Sequence, residues 1–166
     1  MLSKKIEDAL NRQIESEAMS SQLYLAMASW TEIKGYSGSA KFLYAHSDEE
    51  RQHMLKLFLY INERSGQAIV PALKQPPKTF SSLTEIFAQI LKHEVVISSE
   101  INKLVDICLS EKDYTTNNFL QWYVSEQVEE ERVVKTIVDK LKLIGNDKGG
   151  LFLFDRELEG LATTQK

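Results

Sequence analysis

Apolar residues return every three to four positions along four long stretches of the chain, near residues 4–33, 38–65, 81–110 and 114–144. That is the period of a helix with one buried face. Each stretch holds roughly 30 residues and would be about 45 Å long at about 1.5 Å per residue. The interruptions are "KGYSGS" (34–39), "GQAIVPALKQPPKTF" (66–80), "SEKDYTTNN" (110–118) and "GNDKGG" (145–150), where glycine, proline and small polar residues gather. No alternating strand pattern competes with them. The expected fold is all-α, a four-helix bundle.

The connections predict its topology. The first and third are short, which makes helices one and two antiparallel and likewise three and four. The middle one holds all three prolines. Extended at about 3.3 Å per residue, its roughly 15 residues reach about 50 Å, the length of the bundle. A loop of that length needs a reason in a compact domain. Carrying the chain from one end to the other, so that helices two and three run parallel, supplies it. A last segment, "LFLFDRELEGLA" (151–162), reads as a short fifth helix after a Gly-Gly hinge. Its start is too apolar for a free tail, so it either folds back on its own bundle or packs against copies of the chain.

The apolar stripes carry one anomaly each. Helical residues turn by about 100°, so positions seven or eleven apart lie within about 20° of one line. Glu17 shares its line with Ile6, Leu10, Tyr24 and Ala28; Glu50 with Leu43, Leu57 and Ile61. Glu94 falls with Leu83, Phe87, Ile101 and Val105, and Glu130 with Phe119, Tyr123, Ile137 and Leu141. Each glutamate also lies near its helix's midpoint, and midpoints of equal helices share one level. The four carboxylates should therefore converge, with His53 and Gln127 one turn away. Buried ion pairs would be the ordinary explanation, but no lysine or arginine lies on these lines near the midpoints. Arg51 and Arg132 are turned about 100° and about 160° away. Four unpaired buried carboxylates would cost several kcal/mol each or stay protonated. Two divalent cations would neutralise them.

Composition narrows the chemistry. With 24 acidic against 20 basic residues the net charge is −4, which disfavours non-specific binding to nucleic acid or an acidic membrane. The single cysteine, Cys108, permits no internal disulfide and no Cys-x-x-Cys metal knuckle, and its apolar neighbours make it a small core residue. No run of about 18 apolar residues spans a membrane, and "MLSKKIEDALNRQ" lacks an apolar signal region. The cytoplasm is the expected address. Carboxylates with one imidazole and no thiolate point to iron or manganese rather than structural zinc, magnesium or calcium. Glutamates from several helices with Glu-x-x-His motifs are the ligand set of di-iron carboxylate bundles.

At these residues the chain resembles the ferritins, and most closely the bacterial non-haem ferritins. The motifs that carry the resemblance are "QIESEAMSSQLYLAMASW", "EERQH", "KHE" at 92–94 and "EQVEEE", and it covers the whole chain, 1–166, as a single ferritin-like domain. It implies a first iron held by Glu17, Glu50 and His53, and a second by Glu50, Glu94 and Glu130, with Glu50 bridging. Gln127 would sit behind the ligands or position dioxygen. Glu49, Glu126 and Glu129 match a third iron site, the alternative being a solvated acidic face. Tyr24 matches a tyrosine beside the iron pair, either hydrogen-bonded to a ligand, redox-active or simply a core residue. Two departures separate the chain from relatives. Gln127 and Glu130 stand where bacterioferritins have a second Glu-x-x-His, and Arg51 replaces their haem-ligating methionine, so no haem is expected. One cysteine excludes a rubrerythrin-type iron module.

The implied function is iron storage with ferroxidase activity. Two Fe(II) ions per chain would pass electrons to dioxygen or hydrogen peroxide, and a hollow shell of twenty-four copies would hold the mineral. The alternatives are a bundle that binds metal only for stability and a diiron oxygenase acting on an organic substrate.

Overall fold

The computed structural model describes residues 1–162; residues 163–166 of the expected domain lie outside the described residues. Five helices and no strand occur among them: α1 (Lys4–Ile33), α2 (Ser37–Glu63), α3 (Leu83–Ser110), α4 (Tyr114–Ile144) and α5 (Lys148–Ala162). The ends follow from local chemistry. Ser3, Ser82 and Asp113 are N-caps whose side chains accept hydrogen bonds from the amides of Ile6, Glu85 and Thr116. Helix α2 stops two residues before the expected position because Ser65 turns to φ 61°. Helix α3 starts two residues late because Ser82 caps it rather than joining it.

Contacts between side chains give the directions. Ser21 and Ser47 each donate through the hydroxyl to the other's carbonyl at 2.7 Å, which clasps α1 to an antiparallel α2. Ser16 reaches Glu100 at 2.8 Å and Ser20 reaches His93 at 2.7 Å, so α1 and α3 are antiparallel as well. Helices α2 and α3 therefore run the same way, as the long crossover requires. That crossover is held at its start by Asn11, whose amide donates to the Gln67 carbonyl at 3.0 Å and accepts from the Ile69 amide at 2.8 Å. No described helix is long and apolar enough to cross a membrane.

The core is divided. One apolar cluster, with Met27, Phe42, Leu43, Phe87, Ile137 and Phe154, fills the end of the bundle near α5. A second, with Leu10, Ile14, Leu57, Ile61, Ile101 and Leu120, fills the other end. Buried polar residues of α1–α4 lie between them, including Glu17, Glu50, His53, Glu94, Gln127 and Glu130. Cys108 belongs to the second cluster, and burial pushes its thiol up to about 11.

Helix α5 corrects the expected hinge. It begins at Lys148, so Gly149 and Gly150 form its first turn, and the Gly150 amide donates to Asp147 Oδ2 at 2.6 Å. The aspartate caps the helix earlier than the glycines suggest. The reading in which this segment folds back on its own bundle holds for its inner face. Phe154 and Leu158 are buried against the bundle, whereas Phe152 and Leu153 are exposed. Buried Asp155 fastens the inner face: its carboxylate accepts from the amides of Gly38 and Ser39 at 2.9 and 2.7 Å, and from the Ser39 hydroxyl at 2.7 Å. An anion at the start of α2 also meets the positive end of that helix. The approach is so close that a Cβ on Gly38 would stand 1.8 Å from the Asp155 carbonyl oxygen.

Candidate metal centre

The polar layer draws on all four long helices. Spacing of three or four residues puts Gln13, Glu17, Ser21 and Tyr24 on the buried face of α1, all of them buried. Helix α2 adds His46, Glu50 and His53, α3 adds Glu94, and α4 adds Gln127 and Glu130. The tightest ligand-type group is Glu17, Glu50 and His53, which offer one atom each, all within 4.8 Å of one another. His53 Nδ1 lies 3.5 Å from Glu50 Oε2 and 3.8 Å from Glu17 Oε2. Glu17 Oε1 accepts from the Gln13 amide at 2.9 Å, while its Oε2 has no hydrogen-bond partner. As two carboxylates Glu17 and Glu50 repel; with a proton between them they form a hydrogen bond.

Electrostatics of this layer follows from burial without cations. Among the described residues, only histidines form ion pairs with Glu17, Glu50 and Glu130. Desolvation, and then the charge of Glu50, holds the Glu17 carboxyl well above its usual range. Desolvation is likewise the largest cause for Glu50, pushed up to about 8, and Glu94, also about 8, with the charge of Glu130 adding to both. These couplings place the four glutamates in one electrostatic unit, as their shared level along the bundle predicts.

Glu94 is occupied differently from the other three. Its two oxygens accept from the Tyr24 hydroxyl and, at 3.0 Å, from the Gln127 amide. Tyr24 is thus brought against a carboxylate of the layer, and Gln127 stands behind it. His53 is framed by aromatic rings. The Tyr123 hydroxyl donates to the His53 carbonyl at 2.8 Å, and the Trp122 ring packs edge-on against the imidazole at a centroid distance of 5.2 Å.

The acidic trio divides. Glu49 and Glu126 join His53 in a group whose ligand atoms lie within 4.8 Å, at an open groove of about 700 Å³ between α2 and α4. Desolvation and the nearby Glu130 push the Glu49 carboxyl up. Glu129 is not brought there: it is exposed and accepts from Arg132 Nε at 3.0 Å, which lowers its pKa. Arginine three residues further on competes for it on the outer face of the helix. The structure also adds His46, which is buried beside Glu130 and Glu49. It lies seven residues before His53, so the rule that aligned the glutamates would have placed both imidazoles on one line.

A Ferritin-like domain family matches residues 7–144 of the chain. The chain belongs to the ferritin family. It is 47% identical to a probable bacterial non-heme ferritin-like protein of Haemophilus influenzae, over 98% of this chain and 99% of that one. It is 45% identical to a bacterial non-heme ferritin of Campylobacter jejuni, over 100% and 99% of the two chains. An open-pore ferritin of the hyperthermophilic archaeon Archaeoglobus fulgidus superposes with a TM-score of 0.94 at 42% identity, covering 95% of this chain and 96% of its own. This ferritin is an iron-storage protein, and its buried carboxylate layer is where its iron chemistry is to be sought.

Proposed function

We propose that this ferritin is a ferroxidase whose diiron site lies within each subunit, and that the whole chain acts as one ferritin-like domain in a cytoplasmic shell of twenty-four copies. The observation that carries the reading is the Glu17, Glu50 and His53 group, with ligand atoms within 4.8 Å of one another and no lysine or arginine to neutralise it among the described residues. Glu17, Glu50 and His53 hold one substrate Fe(II); Glu50, Glu94 and Glu130 hold the second. Glu94 turns the oxygen that faces Gln127 towards the ion, while its other oxygen keeps the Tyr24 hydroxyl. Entry of the cations displaces the protons that burial keeps on Glu17, Glu50 and Glu94. Each Fe(II) gives up one electron; dioxygen takes both, with two protons, to become hydrogen peroxide, or peroxide takes them and becomes water. The Fe(III) leaves towards the mineral, and Glu49 with Glu126 offers a third position on the way.

Anaerobic loading with Fe(II), followed by air, tests this. The expected result is a soluble ferric core holding far more than two irons per chain, in a particle whose mass by light scattering is that of the full shell. A metal count that stops at the buried ligands would support a merely stabilising cation. Oxygen consumption that appears only with an organic substrate would support an oxygenase. Either result overturns the proposal.

A further inference from the structure

Gln127 on α4 meets α3 through its amide nitrogen. Nε2 lies 3.0 Å from Glu94 Oε2, 3.3 Å from the Glu94 carbonyl oxygen and 3.5 Å from Ser98 Oγ. The backbone carbonyl can only accept. Ser98 has one hydroxyl proton and donates it to Glu131 Oε1, so towards Gln127 its oxygen is an acceptor too. Ser98 follows Glu94 by four residues and Glu131 follows Gln127 by four, one helical turn in each case. The same facing sides of α3 and α4 thus carry all four residues. Turning the amide over would set its oxygen against the Glu94 carbonyl and Ser98 Oγ, both acceptors. The NH2 group is therefore held towards α3 whatever the Glu94 carboxylate does.

We propose that Ser98 and Glu131 are positioning residues for the second iron: they lock the Gln127 amide as a fixed seat on which the Glu94 carboxylate rests when no ion is held. The inference rests on the diiron reading above, in which the Glu94 oxygen that faces Gln127 turns to the ion. The bond from Gln127 is then made in the empty layer and given up in the loaded one. It competes with the cation, because affinity falls by the fraction of time that Glu94 spends away from its ligating position. The lock keeps the NH2 group in place while Glu94 is away, so the carboxylate has one place to return to, and its return releases the oxidised ion. The sign of the effect is distinctive. A partner that merely steadies a bound ligand strengthens metal binding, and its loss weakens binding by about 10–100-fold. Loosening a seat that the ligand must leave strengthens binding instead.

Equilibrium dialysis of the full-length protein against Co(II) without oxygen, with stopped-flow Fe(II) oxidation beside it, tests the assignment. Ser98→Ala and Glu131→Ala should each bind the second Co(II) about threefold more tightly, within the range of one neutral hydrogen bond, and should slow the turnovers that follow the first oxidation. The double variant should tighten binding no further than either single one, because both residues act through one chain of bonds. Ser98→Thr keeps the hydroxyl and should restore the parent's affinity. Unchanged or weaker Co(II) binding in the alanine variants, or effects that add, overturns the inference. Parent crystals soaked in Co(II), with diffraction recorded at the cobalt absorption edge, decide the matter even where no variant folds. The expected map has cobalt on Glu50, Glu94 and Glu130, with Gln127 Nε2 still beside Ser98 Oγ and the Glu94 carbonyl. Cobalt there with the amide turned away from Ser98, or with Glu94 still bonded to Gln127 through the same oxygen, overturns this inference and leaves the diiron site standing. No cobalt on these three glutamates overturns the diiron reading, and the seat with it.

Discussion

Metal-free protein should become less stable as the pH rises, and Glu50→Gln should remove much of that loss. The folded structure raises the Glu50 carboxyl from 4.5 to about 8. Its contribution is therefore fully present below about pH 4.5 and is lost as the pH climbs through about 8. Between pH 4.5 and pH 7 the reluctance of the buried group to ionise accumulates at about 1.4 kcal/mol per pH unit, reaching about 3 kcal/mol. Replacing the carboxyl by an amide of the same shape abolishes the ionisation, and the amide can donate to Glu17 Oε2, which has no hydrogen-bond partner. Denaturant unfolding of chelator-treated protein, followed by circular dichroism at fixed concentration from pH 4 to 8.5, measures the difference. We expect parent and variant to be near equal at pH 4 and the variant to lead by about 3 kcal/mol at pH 7, widening to pH 8. With Co(II) bound the order should reverse, because the variant has lost a ligand. An advantage that does not change with pH, or a variant less stable than the parent at pH 8, would refute the claim that burial of an unpaired carboxylate dominates this layer.

Three further outcomes follow from the same geometry. Tyr24→Phe removes the hydroxyl that holds Glu94, so stopped-flow Fe(II) oxidation should slow by about tenfold, the equivalent of one lost hydrogen bond to a charged group, while final iron capacity is retained. Glu126→Ala should abolish the cation position at the groove, whereas Glu129→Ala, which breaks only the contact with Arg132, should leave cation counts by dialysis unchanged. Gly38→Ala forces a methyl group against the Asp155 backbone; α5 should undock at a cost of at least about 2 kcal/mol, and light scattering should show smaller particles.

The parts of this ferritin that could be read in advance are those governed by a period. Glu17, Glu50, Glu94 and Glu130 repeat the angular position of their apolar neighbours, and a helix converts that repetition directly into a shared face. The crossover was legible from length alone. What depends on competition between side chains was not. Glu129 has the right spacing for the acidic trio, but Arg132 holds it on the outside. The start of α5 depends on whether Asp147 or the glycines win locally, and the aspartate caps the helix. His46 followed the same seven-residue rule as the glutamates, yet a histidine on an apolar face looks like a core residue until the lack of any partner for its ring nitrogens is known.

The division of the core has a consequence for how the bundle holds together. Its two apolar clusters are separated by a layer of buried carboxyls, imidazoles and an amide, so hydrophobic cooperation is interrupted halfway along. In metal-free protein the two ends can open as separate units, and hydrogen exchange should find amides near Phe87 and near Leu10 protected to different free energies. Cations held by the proposed ligands of the middle layer would tie four helices at one level and merge those units. On the diiron reading proposed above, iron on its way to storage would also act as the rivet that makes the bundle fold and unfold as one body.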